Sequence, residues 1–173
     1  MKPFLTAATL LLLILPELLA GNLGLAFGLP LYGALYFAVT YRRRFGLIGA
    51  TAAGLILDSI YWREYMCMVF IFPAMILLTL PLVRRWRRQL PPAALLPGTV
   101  IGGGMALVNW LLCALWGTPG PGPDVFSLFI FQAIFGGIFM LIFTLTADFL
   151  AFKCNLPRFA VRGDARLGRE QND

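Results

Sequence analysis

Histidine is absent from the 173 residues, and with it go the commonest proton shuttle and metal ligand, and any Ser-His or Cys-His catalysis. Cysteine is scarce: Cys67, Cys113 and Cys154 show no metal-type spacing. Charge is scarce too, at 13% of residues, and only eight acidic side chains stand against fourteen Lys and Arg. Nowhere is there room for a nucleotide-binding fold or a globular catalytic module. A soluble chain that is 60% hydrophobic, with a mean hydropathy of +0.81, would have no polar surface to present to water.

What fills the chain instead is six apolar stretches, at 4–20, 25–41, 45–61, 65–83, 95–116 and 126–152. Each is about 17 residues or longer, enough at ~1.5 Å per residue to cross a hydrocarbon core, the shortest only barely. The basic residues occupy alternate gaps. Lys2 precedes the first stretch; Arg42, Arg43 and Arg44 follow the second; Arg84, Arg85, Arg87 and Arg88 follow the fourth; Lys153 and four arginines follow the sixth. The other gaps hold only Arg63, beside Glu64. The positive-inside rule then predicts an all-α integral membrane protein, a six-transmembrane-helix bundle with both termini cytoplasmic. Residues 1–154 form the bundle, and 155–173 read as a short disordered cytoplasmic tail. A pI near 9.7 can point to nucleic acid, but positive charge confined to helix ends is explained by topology and anionic lipid headgroups, and no nucleic-acid partner is expected.

Lys2, the following apolar run and Leu18-Leu19-Ala20 also resemble a signal peptide; the length of the run and Pro16-Glu17 favour retention. The Pro- and Gly-rich segment 117–124 reads as an extracytoplasmic loop. Cys67 and Cys113 fall at similar depth in neighbouring helices, which leaves a disulfide open, with buried thiols the default.

Carboxylates in or beside apolar helices are the functional candidates, because charge in hydrocarbon needs protein, water or a partner. Glu17 and Asp58 fall at the outer boundary, where Glu17 is expected to reach the headgroups. Asp148 falls at the inner one, where Lys153, Arg84 or Arg85 could pair with it. Gly46, Ala50, Gly54 and Asp58 recur every fourth residue and make one small-residue face of the third helix, suited to close helix packing, internal or with a partner. A polar and small face on the last helix (Gln132, Gly136, Met140, Thr144, Asp148) and another on the fifth (Gly102, Ala106, Asn109) are expected to meet at the bundle centre.

The span from Pro30 to Asp58 holds a proline opening the second helix, the pair Tyr36-Phe37, a basic turn, Gly46, and Gly54-Leu55-Ile56-Leu57-Asp58. It resembles the signature of the MreD rod-shape-determining proteins, which also have this length and helix count. Phe37 stands where that family often has Trp, Arg42 to Arg44 stand at its Pro-x-Arg turn, and Tyr61-Trp62-Arg63-Glu64 stand where a glycine turn follows the aspartate. The resemblance implies a non-enzymatic scaffold in the bacterial inner membrane, without cofactor, that serves the machinery of side-wall peptidoglycan synthesis. Its partner would be a single-span MreC-like protein, and through it an MreB-like filament and the wall-building glycosyltransferase and transpeptidase. The implied fold is similar to the substrate-binding subunits of energy-coupling-factor transporters, so a vitamin-binding subunit is the alternative. Such a subunit should converge polar side chains on an outward pocket, and Glu17, Asn22, Asp58, Trp62, Asn109 and Trp116 are the few available. An intramembrane enzyme finds neither histidine nor a paired nucleophile and base.

Overall fold

The computed structural model describes residues 2–22, 27–60, 67–86, 95–116 and 125–153. They form six α-helices: α1 (Lys2–Asn22), α2 (Leu29–Thr40), α3 (Arg43–Ile60), α4 (Met68–Trp86), α5 (Leu95–Trp116) and α6 (Val125–Lys153). No strand occurs among the described residues. The segments 61–64, 87–88 and 117–124 and the tail from 155, all assigned above from sequence, lie outside them.

Helix α2 organises the bundle. It touches each of the other five helices, and all twelve of its residues are buried. At ~1.5 Å per residue it is about 18 Å long, well short of a hydrocarbon core. The apolar run had suggested 17 residues, but α2 starts at Leu29, because Gly28 takes a left-handed conformation (φ 69°) and Pro30 then sets the first turn. Protein surrounds α2 on every side, so its length need not match a bilayer.

Two helices, α5 and α6, are long and apolar enough over Leu95–Leu115 and Phe126–Lys153 to cross a membrane. They run antiparallel with backbones in near contact. Gly98 lies on the Gly136 carbonyl and Gly102 on the Gln132 carbonyl, so close that a methyl group at either glycine would collide with the opposite main chain. Where lipid offers no hydrophobic contrast, helices associate by such close packing. The expected meeting of the 102 and 132–136 faces is therefore seen, with Gln132, Met140 and Ala106 buried and Asn109 half-buried.

Between α2 and α6, which run parallel, lies an aromatic seam. Phe131, Phe135, Phe139 and Phe143 stack in sequence along α6, with ring centroids 5.9–6.3 Å apart. Phe27, Tyr32 and Tyr36 pack against them. Outward-facing positions are apolar as well: Ile134, Ile138, Ile142, Leu145 and Phe149 of α6 are each at least half exposed. Leu12, Ile48, Phe70, Leu78 and Leu115 on other helices are exposed too, so apolar side chains face outward from α1, α3, α4, α5 and α6 alike, a girdle that a water-facing surface would not carry.

Candidate functional site

The first turn of α2 is the most completely accounted polar feature of the bundle. A helix N-terminus leaves its first N–H groups without intrahelical acceptors, and burial makes each one costly. Here the Gly28 and Leu29 N–H groups both donate to the Glu17 carboxylate, one to each oxygen at 2.9 Å. Pro30 has no N–H, and the Leu31 N–H donates to the Gly28 carbonyl at 2.9 Å. Glu17 also brings negative charge to the positive end of the helix dipole. It is 3% exposed, so it does not reach the headgroups as its position near a boundary suggested. The helix end that it faces is the physical reason: two N–H donors inside the protein offer what the headgroup layer would have offered.

Asp58 does the same for α4. Its Oδ2 accepts the Val69 N–H at 3.1 Å, while the Phe70 and Ile71 N–H groups turn to the Cys67 carbonyl. The glycine one turn earlier makes this possible. A Cβ at Gly54 would stand 2.5 Å from the Met68 carbonyl oxygen and 2.9 Å from the Val69 nitrogen, both main-chain atoms. Only a residue without a side chain lets the start of α4 come close enough for Asp58 to reach it. The pattern glycine, three residues, aspartate is thus one device, in which one residue clears the approach and the other holds what arrives.

The rest of the strip serves internal packing. Gly46 lies on Ala38 and the Ala34 carbonyl of α2, and Ala50 is fully buried. Of the two uses open to Gly46, Ala50, Gly54 and Asp58, the bundle's own helices occupy this face, and a partner would have to meet α3 elsewhere.

At the opposite end of the bundle Asp148 accepts a hydrogen bond from the Tyr36 hydroxyl at 2.7 Å. The expected partner Lys153 instead places its ammonium over the Phe149 ring, 4.9 Å from the centroid; the side chains of Arg84 and Arg85 lie outside the described part. Asp148 thereby ties the end of α6 to α2, and Tyr36, noticed in the sequence only as part of an aromatic pair, is the donor. Cys67 and Cys113 are both half-buried thiols, the default reading.

No family model, curated protein or solved structure matches this chain. Two buried polar atoms have no hydrogen-bond partner among the described residues: the Tyr32 hydroxyl, which the sequence reading did not single out, and the Oε1 of Gln132, which it had placed on the polar face of the last helix. Tyr32 points at Gly136, where a Cβ would lie 2.5 Å from its oxygen. Gln132 sits one turn before Gly136, on the side of α6 where the main chain meets Gly102 of α5. No group of three or more potential metal ligands occurs among the described residues.

Proposed function

We propose that this chain is a multi-pass scaffold of the bacterial cell membrane, six helices with both termini cytoplasmic, that binds a single-span partner and helps direct side-wall wall synthesis and cell shape. The observation that carries the reading is the Gly54–Asp58 clasp on α4. It gives a physical role to the part of the sequence that most resembles the MreD family, and a signature that builds the fold is what a scaffold family would share. The exposed apolar girdle and the alternating basic gaps support the membrane placement. The commitment of Glu17, Asp58 and Asp148 to holding helices supports a binding rather than a catalytic role. An MreC-like single-span protein is the proposed direct partner, with an MreB-like filament and the wall-building enzymes reached through it.

Purification from native membranes in mild detergent tests this. A co-purifying single-span protein with a large extracytoplasmic part is the expected result, and an intact bundle that captures none would overturn it. One observation favours a second reading, a small-molecule-binding subunit of an energy-coupling-factor transporter: the unsatisfied Tyr32 and Gln132 groups inside the bundle. A vitamin released on denaturing the purified protein would decide for that reading.

A further inference from the structure

Between α1 and α3 the outer surface is cut by a groove of about 390 Å³ with an almost wholly apolar lining. Leu10 and Ile14 form one wall, and Phe45, Ile48, Ala52 and Ile56 the other. The two helices run parallel here, and the groove between them is partly open to the surface. From Phe45 to Ile56 it extends about 16 Å at ~1.5 Å per residue. That is the depth of one leaflet of a ~30 Å hydrocarbon core, and half of what a membrane-crossing helix of a partner would need.

The groove starts at the basic end of α3. Arg42, Arg43 and Arg44 immediately precede Phe45, and all three are exposed. Cations at a helix start oppose its dipole, so stabilising α3 does not explain them. An apolar channel one leaflet deep with a triple positive charge at its mouth is complementary to a molecule with an anionic head and one long apolar chain. We infer that this groove is a binding site for an anionic phospholipid of the cytoplasmic leaflet, with an acyl chain between α1 and α3 and the headgroup phosphate at Arg42, Arg43 and Arg44. The inference rests on the membrane placement proposed above and not on the identity of any protein partner.

The full-length protein, purified in mild detergent and returned to nanodiscs of phosphatidylglycerol, phosphatidylcholine or their mixture, provides the test, with tightly held lipid counted by mass spectrometry. Phosphatidylglycerol should be retained in preference to phosphatidylcholine. Each Arg→Gln change at 42, 43 or 44 should lower that preference about fivefold. Ala52→Phe projects a ring into the groove from an exposed position, and should abolish tight retention while the arginines and the melting temperature stay unchanged. Equal retention of the two lipids, or undiminished phosphatidylglycerol on Ala52→Phe, would refute the inference. So would an Ala52→Phe protein that keeps its lipid but loses a co-purifying single-span protein, since the groove would then belong to a partner's helix. A wild-type chain that never enters the nanodisc would instead remove the membrane placement beneath it.

Discussion

Gly54→Ala is the sharpest single perturbation of the bundle. The added methyl carbon would stand 2.5 Å from the Met68 carbonyl oxygen, about 0.9 Å inside ordinary contact at 3.4 Å. Its neighbours are main chain and cannot rotate away, so the first turn of α4 has to retreat. A retreat of that size lengthens the 3.1 Å Val69 to Asp58 bond toward about 4 Å, beyond hydrogen-bonding distance. Overpacking costs about 1–3 kcal/mol. Losing a hydrogen bond to a charged group costs about 1.5–3 kcal/mol more, and the better helix propensity of alanine returns about 1. The net loss is roughly 1.5–5 kcal/mol. Reversible unfolding in mixed micelles titrated with denaturing detergent measures it, and Asp58→Ala completes a double-mutant cycle. Because the methyl group already breaks the bond that the aspartate makes, the double variant should be less destabilised than the sum of the singles, by about 1–2 kcal/mol. Additive effects, or a neutral Gly54→Ala, would show that the two residues do not act together.

Four further outcomes follow from the same contacts. Glu17→Gln replaces one acceptor oxygen with a donor amide facing the α2 N–H groups, and should lower stability by about 1–2 kcal/mol in the same titration. Gly28→Ala forces a side chain into a left-handed conformation against Met105, and should cost about 1–2 kcal/mol, read as a lowered melting temperature. Tyr36→Phe should cost about 1.5–3 kcal/mol by leaving the Asp148 carboxylate without its hydroxyl donor, and Tyr36→Phe combined with Asp148→Leu should recover part of that loss. In a background lacking the native cysteines, Gly120→Cys should react with an impermeant thiol reagent from outside intact cells while Arg87→Cys stays protected; labelling of the latter would reverse the proposed orientation.

The helices were legible in the sequence to different degrees, for physical reasons. The ends of α5 coincide with its apolar run at 95–116 because polar and proline-rich segments bound it sharply on both sides. The start of α2 differs from the apolar run by four residues because Phe27 and Gly28 continue that run without being helical, although Pro30 marked the true first turn. The strip Gly46, Ala50, Gly54, Asp58 was visible as a four-residue period, but which neighbour it faces is a tertiary fact. The bond between Tyr36 and Asp148 joins residues 112 positions apart, and no local pattern announces it. Glu17 was recognised as a costly charge near a membrane boundary, yet its acceptor role depends on Gly28 turning two N–H groups toward it. Charge placement could be read from the linear chain, whereas the satisfaction of that charge could not.

The two carboxylate clasps also bear on how the protein is made. Glu17 secures N–H groups only 11 and 12 residues further along, and Asp58 secures one 11 residues along. Closing so short a connection loses little chain entropy. Under the proposed membrane placement, each clasp joins helices adjacent in the chain, so the first two helices can latch together before the third pair is synthesised, and the next two can repeat the step. Each latch satisfies a carboxylate and a helix end in the same event, so neither is left buried without a partner. The tie from α6 back to α2 spans 112 positions, so it closes a far longer connection than either carboxylate clasp.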